Sequence, residues 1–208
     1  MISTIITAGG VSRRFGTNKL LEIIDGKSVI EHTISKFLKY SDEIVIPATS
    51  QTREFIEKLP IFDSKKISFV QNGETRQKSV YNGLLALKYH DFVLIHDGAR
   101  PFINDETIEG LIEELKTKKA LCTGVFATDT IKIISPDGEI EKTIDRKTVF
   151  QAQTPQAFEF ELVMRAHEKF KNFDNFTDDS SLVEALGVKV YPYCSIGVNK
   201  KITTPLDL

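Results

Sequence analysis

A glycine-containing loop with several cationic residues follows the first apolar run of the chain. Thr7-Ala8-Gly9-Gly10 comes directly after Ile2–Ile6, and Arg13, Arg14 and Lys19 follow it. Glycines allow a backbone to approach a ligand closely, and the N–H groups of such a loop can hold a phosphate. Arg and Lys side chains beside the loop suit a polyphosphate. The loop therefore predicts a polyphosphate site; the alternative is a strand-to-helix turn with solvated charges.

The glycine spacing differs from that of two familiar nucleotide-binding motifs. The segment is neither GxGxxG nor GxxxxGK[ST]. A dinucleotide-binding fold also carries Asp or Glu at the end of its second strand, where this chain has Ala48-Thr49-Ser50. An NAD-dependent oxidoreductase is therefore disfavoured.

A second polar cluster, His96-Asp97-Gly98-Ala99-Arg100-Pro101, follows the apolar run Phe92–Ile95. Open α/β sheets bind ligands outside the carboxyl ends of their strands, and one carboxylate can help to hold Mg²⁺ there. Asp97 is therefore a candidate magnesium ligand, although Asp97 and Arg100 could also form a simple ion pair. A third polar segment, Asn72–Val80, offers a helix N-terminus to an anion or a base.

Four more polar segments could be turns, helix caps or solvated faces. They are Asp145-Arg146, Gln153–Phe158, Thr177–Asp179 and Asn199–Thr203. The sequence contains no GxSxG elbow and no Cys/His pair with a family signature, so a covalent nucleophile is not indicated.

Predicted strands and helices alternate from residue 2 to residue 126. Strands are predicted at Ile2–Ile6, Glu43–Pro47, Ile67–Val70, Phe92–His96 and Ala120–Phe126. Helices are predicted after the N-caps Ser28 and Asn104, and at Thr52–Lys58 and Ser79–Lys88. The alternation is typical of an α/β, Rossmann-like fold with a mostly parallel sheet and helices on both faces.

The alternation ends in a predicted β-hairpin. Ile131–Ile134 and Glu139–Ile144 flank the turn Ser135-Pro136-Asp137-Gly138. A hairpin inserted in a parallel fold projects from it, and such an arm, about residues 130–146, can contact a second chain. The alternative is a surface flap.

The composition is that of a soluble globular protein. The chain has 208 residues, of which 41% are apolar and 27% charged, and its formal net charge is −2. This predicts a single domain over residues 1–208 with neither a nucleic-acid nor a membrane partner. Cys122 and Cys194 are expected to be buried thiols in a reducing cytoplasm. The first six residues do not form a secretory signal, and the histidine spacing does not indicate zinc.

The polar blocks, taken in order, resemble a known enzyme family. They are AGGVSRRFG, Lys19, NGETRQKSV, HDGARPF, TDTIK, DR, QTPQAF, TDDSSLVE and NKKITTPLDL, and the resemblance covers essentially residues 3–208. Together they closely resemble the cytidylyltransferases of 2-C-methyl-D-erythritol 4-phosphate in non-mevalonate isoprenoid biosynthesis. The ribitol-5-phosphate cytidylyltransferases are similar. The resemblance implies that an alcohol phosphate attacks the α-phosphorus of CTP and that pyrophosphate leaves.

The resemblance also implies roles for individual residues. The catalytic residues are Arg14, Lys19, Arg146 and Lys201. The nucleotide contacts are Thr7, Ala8, Gly9, Gly10, Gly73, Glu74, Ser79, Gly98 and Arg100. The acceptor-phosphate contacts are Thr130, Arg146, Thr154 and Lys201, and the Mg²⁺ ligand is Asp97. The resemblance further implies a homodimer in which Thr130 and Arg146 serve the neighbouring chain's site.

Three points stay open at the sequence level. The acceptor could be methylerythritol phosphate or ribitol 5-phosphate. Lys200 could take the role assigned to Lys201. A non-catalytic nucleotide-binding protein could use the same fold, although mere binding would not require Arg14, Lys19, Asp97, Arg146 and Lys201 together.

Overall fold

The computed structural model describes residues 1–9, 15–16, 18–89, 91–173 and 175–208. The strands are β1 (Ile2–Thr7), β2 (Ile23–Ile24), β3 (Lys27–Ser28), β4 (Glu43–Ala48), β5 (Ile67–Gln71), β6 (Phe92–Asp97), β7 (Ala120–Phe126), β8 (Ile131–Ile134), β9 (Ile140–Ile144), β10 (Phe150–Glu159) and β11 (Tyr191–Cys194). The helices are α1 (Val29–Phe37), α2 (Ser50–Ile56), α3 (Arg76–Ala86), α4 (Asp105–Leu115), α5 (Phe160–Lys169) and α6 (Asp179–Glu184).

Seven strands form the central sheet in the order β11-β7-β10-β6-β1-β4-β5. β1 pairs in parallel with β4 and β6, β4 pairs in parallel with β5, and β11 pairs in parallel with β7. The predicted α/β fold with a mostly parallel sheet is therefore confirmed. Because β1 and β6 are parallel neighbours, with Thr7 opposite Asp97, the polar segments after both strands meet at one edge.

One strand runs against the others at the middle of the sheet, and the sequence analysis missed it. β10 lies between β6 and β7 and is antiparallel to both. Its central residues, Gln153-Thr154-Pro155-Gln156, are polar and include a proline, which is unusual in a central strand. The pairing with β7 shifts between Ala152 and Gln156. This irregularity accommodates a residue that lacks an N–H donor. Beside it, the Thr154 hydroxyl accepts a hydrogen bond from the backbone N–H of Asp97.

Helix capping follows the sequence prediction and also extends it. Ser28 and Asn104 accept hydrogen bonds from the backbone N–H groups of Glu31 and Thr107, as expected for N-caps. α3 begins three residues before the predicted Ser79, because the Thr75 side chain accepts from the backbone N–H of Lys78 and caps an additional turn. Arg76 consequently occupies the first position of α3.

Two apolar clusters cover the two faces of the sheet. Successive residues of a strand point to opposite faces, so Ile6 joins one cluster and Ile5 the other. The first cluster receives buried side chains from α1, α2 and α4, and the second receives them from α3, α5 and α6. Helices therefore lie on both faces, as predicted.

The hairpin forms a two-stranded sheet separate from the central one. β8 pairs antiparallel with β9, and Gly138 in the connecting turn has φ +86°. A positive φ is the conformation that glycine tolerates best, which agrees with the predicted turn. Ile133, Ile134 and Ile140 are exposed on this arm.

The two cysteines differ in exposure. Cys122 on β7 is buried, and burial raises the pKa of its thiol to about 11. The expectation of a buried thiol is wrong for Cys194, which is exposed on β11 at the edge of the sheet. An edge strand has a neighbour on one side only and leaves part of its surface to solvent. No helix in the described ranges is long and apolar enough to span a bilayer.

Candidate functional site

A cavity of about 390 Å³ lies at the carboxyl ends of β1 and β6. This volume is within the usual range of ligand pockets. Nine residues predicted from the sequence line the cavity: Thr7, Gly9, Lys19, Gly73, Glu74, Ser79, Asp97, Gly98 and Lys201. The segments that follow β1, β5 and β6 are thus brought to one place, as expected because parallel strands of one sheet end at the same edge.

Close backbone contacts explain two of the glycines. A Cβ atom on Gly98 would lie 2.8 Å from the carbonyl oxygen of Thr7, and the N–H of Gly98 donates to that same oxygen. A Cβ on Gly73 would lie 2.7 Å from the carbonyl carbon of Lys78 and 2.8 Å from the backbone nitrogen of Ser79. The N–H of Gly73 donates to Oγ of Ser79, and this bond closes the loop onto the first turn of α3. The cavity wall is therefore formed by tightly packed backbone.

Asp97 is a buried carboxylate surrounded by cations. Nε of Arg76 lies 3.1 Å from Oδ1, Nζ of Lys201 lies 2.7 Å from Oδ2, and Nε of Arg100 lies 3.8 Å from Oδ2. Burial alone would raise the pKa of Asp97, but these positive charges hold it well below its usual range. Asp97 is therefore ionised at neutral pH.

His96 and Thr154 lie behind Asp97 and fix its backbone. Nε2 of His96 is 3.1 Å from the carbonyl oxygen of Arg100, which can only accept, so the ring donates there. Nδ1 then accepts from the Thr154 hydroxyl, whose oxygen in turn accepts from the N–H of Asp97. Complete burial lowers the pKa of His96 to about 4, which keeps the ring neutral.

The C-terminal segment supplies a lysine to the cavity. Lys201 lines the cavity, whereas Lys200 pairs with Asp207 at 2.6 Å and is 59% exposed. Nζ of Lys19 donates to the carbonyl oxygen of Ile202, next to Lys201. The geometry therefore brings Lys201 rather than Lys200 beside Lys19.

Several predicted residues lie around the cavity without lining it. Ala8 is buried beside β4 and pairs with Ala48 through an isolated bridge. The Arg100 guanidinium donates to the carbonyl oxygen of Asn199, and burial lowers its pKa. Thr154 is buried, and its hydroxyl is engaged as described above. Nucleotide or acceptor contacts of these residues stay predictions.

The residues predicted from the hairpin lie elsewhere. Thr130 and Arg146 are exposed, and neither lines the cavity. Nη1 of Arg146 donates to the carbonyl oxygen of Thr128, at the base of the arm. Gly10 and Arg14, together with Arg13, lie outside the described residues.

Arg76 is a residue of the cavity wall that sequence reasoning did not single out. It lines the cavity and contacts both Asp97 and Asp179, which is 103 positions further along the chain. Recognising Thr75 as an N-cap would have placed Arg76 in the first turn of α3, close to the strand ends. Nothing local in the sequence indicates its contact with Asp179.

The site can stabilise phosphate charge. Among the described residues, three cationic side chains line the cavity, from Lys19, Arg76 and Lys201. No group of three or more His, Cys, Asp or Glu residues in the described ranges could hold a metal by itself. One carboxylate with phosphate oxygens of a ligand is, however, a usual donor set for Mg²⁺. Asp97 fits that role, because a carboxylate offers about four acceptor sites and each oxygen here has one short contact.

Comparisons with known proteins agree with this geometry. The family model described as 2-C-methyl-D-erythritol 4-phosphate cytidylyltransferase (IspD) matches residues 2–208. A Clostridium botulinum protein of that name is 42% identical over 215 residues, covering 100% of this chain and 96% of the relative. A Clostridioides difficile protein of the same name is 42% identical over 216 residues, covering 100% of this chain and 91% of the relative.

Solved structures show the same fold. The 4-diphosphocytidyl-2C-methyl-D-erythritol synthase of Anaerococcus prevotii superposes with a TM-score of 0.87 at 34% identity, covering 99% of this chain and 92% of that one. The Francisella tularensis 2-C-methyl-D-erythritol 4-phosphate cytidylyltransferase gives 0.83 at 28% identity, covering 99% and 95%. From the full-length match, the shared fold and the cation-lined cavity, we conclude that this chain belongs to the 2-C-methyl-D-erythritol 4-phosphate cytidylyltransferase family.

Proposed function

We propose that this chain transfers CMP from CTP to 2-C-methyl-D-erythritol 4-phosphate and releases pyrophosphate. The observation that carries the proposal is the meeting of Lys19, Arg76 and Lys201 around one cavity in a chain that matches this family along its length. Transfer of a phosphoryl-type group depends on positioning and on charge stabilisation more than on a covalent nucleophile. A cavity rich in cations suits that chemistry.

The nucleotide occupies the part of the cavity formed by the first loop and the Asn72–Val80 segment. The contacts we assign to it are Thr7, Ala8, Gly9, Gly10, Gly73, Glu74, Ser79, Gly98 and Arg100. Gly73 and Gly98 line this part of the cavity, and a side chain at either position would collide with the neighbouring chain and distort the cavity wall. Glu74 lies at the rim, where a hydrogen bond from Lys78 lowers the pKa of its carboxyl.

The phosphates are bound by the cationic side of the cavity. Lys19 and Arg14 neutralise charge that develops on the α-phosphate and on the leaving pyrophosphate. Lys201 holds the phosphate of the acceptor, with Thr154 behind it, and one phosphate oxygen is thereby oriented toward the α-phosphorus. Lys201 is 38% exposed and paired with Asp97, so it is partly accessible and held at a fixed position.

We assign Asp97 as the protein ligand of Mg²⁺, with CTP phosphate oxygens completing its coordination. When bound, the ion supplies further neutralisation of phosphate charge. Arg76, Arg100 and Lys201 keep Asp97 ionised and therefore competent as a ligand.

The acceptor site is completed by a second chain. Thr130 and Arg146 are exposed beside the projecting arm, and exposed isoleucines cover that arm. We propose a homodimer in which each arm carries these two residues to the partner's cavity. Residues 1–208 then form one nucleotidyltransferase domain with an arm at about 130–146. We place the reaction in the reducing cytoplasm, in keeping with two cysteines that are not joined by a disulfide.

Pyrophosphate release tests the proposal. The purified protein is incubated with CTP, Mg²⁺ and either 2-C-methyl-D-erythritol 4-phosphate or ribitol 5-phosphate. We expect release with the first acceptor at a rate at least about tenfold above that with the second. Release only with ribitol 5-phosphate would reassign the acceptor. CTP binding without turnover in either case would indicate a non-catalytic nucleotide-binding protein.

A further inference from the structure

A chain of alternating charges runs from the cavity into the helices behind it. Lys201 contacts Asp97 at 2.7 Å, Asp97 contacts Arg76 at 3.1 Å, and Arg76 contacts Asp179 at 2.8 Å. Nε2 of His167 then lies 3.1 Å from the second oxygen of Asp179. The Asp179 and His167 side chains are 1% and 0% exposed, and neither lines the cavity. Their link to the site is the contact of Asp179 with Arg76.

The Arg76 guanidinium makes a single hydrogen bond with Asp97 rather than two. Its Nε donates to Oδ1 of Asp97, and its Nη1 donates to Oδ2 of Asp179. Nη2, which shares an edge of the guanidinium with Nε, is buried and lacks a hydrogen-bond partner among the described residues. Arginine commonly binds a carboxylate through two parallel N–H···O bonds. Here the second bond of that fork is not made.

Lys201 occupies the position where the second bond would form. Nζ of Lys201 donates to Oδ2 of Asp97, the oxygen that Nη2 would need for a complete fork. A buried donor without a partner is costly, so another contact must restrain Arg76. Asp179 is the group that supplies this restraint, because it binds Nη1 from the opposite side.

His167 fixes Asp179 in turn. An ionised carboxylate can only accept, so Nε2 of His167 donates to Oδ1 of Asp179 while Arg76 occupies Oδ2. The imidazole ring stacks on Tyr81 with an interplanar angle of 4°. Asp179, at the first position of α6, is thereby held by two partners and keeps a fixed orientation toward Arg76.

We propose that Asp179 is a positioning residue that keeps Arg76 from closing a two-bond fork on Asp97, and so reserves Oδ2 of Asp97 for Lys201. The consequence is a correctly placed lysine for the acceptor phosphate. This inference rests on the proposed function, in which Lys201 binds that phosphate. It assigns acceptor affinity, rather than nucleotide affinity, to a carboxylate that does not touch the cavity.

The kinetic test uses Asp179→Asn, which keeps the size of the side chain and removes its charge. We expect KM for 2-C-methyl-D-erythritol 4-phosphate to rise about tenfold while KM for CTP changes less than about twofold. In a Lys201→Ala background, Asp179→Asn should not raise the acceptor KM further, because both substitutions remove the same contact between Lys201 and the acceptor phosphate. Additive effects, or a rise confined to the KM for CTP, would contradict the proposal.

A matched control separates positioning from loss of stability. Glu43 is also a buried carboxylate, and it accepts from Oγ of Ser3 and from the backbone N–H groups of Lys88 and Tyr89, at the opposite end of the sheet. Glu43→Gln should lower the melting temperature without changing either KM. If Asp179→Asn does not fold, His167→Gln keeps both ion pairs of Arg76 and should raise the acceptor KM in the same direction, by a smaller factor.

A second readout does not depend on turnover. Limited acetylation followed by mass spectrometry gives the labelling rate of Lys201 relative to Lys200, which pairs with Asp207 away from the cavity. We expect Asp179→Asn to speed labelling of Lys201 several-fold, because Arg76 then displaces the Lys201 amine from Asp97. The labelling rate of Lys200 should not change. An unchanged ratio would refute the inference. If the wild-type protein failed to turn over either acceptor, the proposed function would fail, and this ratio would still decide the inference.

Discussion

The two halves of the proposed acceptor site differ in how the chain holds them. Lys201 contacts Asp97, which belongs with Arg76 and Asp179 to a network of charges that joins four segments of the chain. Thr130 and Arg146 are exposed at the base of a separate two-stranded sheet, with a backbone carbonyl as the contact of the arginine. The first half is complete within one chain. Neither residue of the second half lines the cavity of its own chain. In the proposed dimer, the partner's cavity would receive them, so the two halves separate what one chain folds by itself from what assembly would add.

Removal of divalent ions should have the largest effect on turnover, because the proposed ion neutralises the CTP phosphates and is held by Asp97. We expect excess chelator to abolish turnover and added Mg²⁺ to restore it. Asp97→Asn should shift the Mg²⁺ titration to about tenfold higher concentration. It should also lower stability, since it removes a counter-charge that three cationic neighbours share. Full activity in excess chelator would contradict the assignment of Asp97.

Substitution of a cationic residue that lines the cavity should reduce catalysis strongly. We expect Lys19→Ala to lower kcat by at least about 10²-fold, because it removes charge stabilisation of the transition state. Its melting temperature should change little, because Lys19 lies in a loop and its side chain contacts a backbone carbonyl. Lys200→Ala is the matched control and should keep normal kcat, since Lys200 pairs with Asp207 outside the cavity. A normal kcat for Lys19→Ala would move this role to another residue.

Substitution in the exposed half should act on the acceptor alone. We expect Arg146→Ala to raise KM for the acceptor by at least about 10²-fold, with unchanged affinity for CTP, so that the variant is nearly inactive at acceptor concentrations near the wild-type KM. Stability should be unaffected, because the side chain is exposed. Lys147→Ala, which removes the neighbouring exposed cation, serves as the control. Equal effects of the two substitutions would show that net charge near the arm matters, rather than Arg146 itself.

A titration of stability with pH should report on the buried His96 ring behind Asp97. His96 is fully buried, and its pKa falls from 6.5 to about 4. Between those values the unfolded chain binds a proton and the folded chain does not, so stability is complete above about pH 6.5 and declines as the pH falls toward 4. The loss is at most ~3 kcal/mol from this group. Urea denaturation of wild type and His96→Asn across this range should give a shallower slope for the variant; parallel slopes would contradict the neutral buried ring.

The sequence predicted those parts of the fold whose signals are local. Helix caps such as Ser28 and Asn104, and the Pro136-Asp137-Gly138 turn of the hairpin, depend on residues a few positions apart, and the structure has them as expected. The strand β10 was missed because its polar centre carries no apolar periodicity and becomes buried only between β6 and β7.

The candidate site also contains residues that the sequence could place and residues that only the folded structure brings together. Asp97 and the first loop could be assigned to one edge of the sheet because parallel strands end there. The network of Arg76 with Asp179 joins residues 103 positions apart, and only the packing of α6 against the sheet brings them together. Exposure of Cys194 likewise depends on which strand lies at the edge, and the order of strands cannot be read from spacing alone.

Mixing two inactive variants tests most directly whether the site is built from two chains. Lys19→Ala and Arg146→Ala are unfolded together in equal amounts and refolded. Random pairing makes about half of the dimers mixed, and each mixed dimer contains one site with both residues intact. The account predicts recovery of roughly a quarter of wild-type activity, while either variant refolded alone stays inactive. Efficient refolding with exchanged subunits but no recovered activity would show that Arg146 serves its own chain, and it would contradict the shared site.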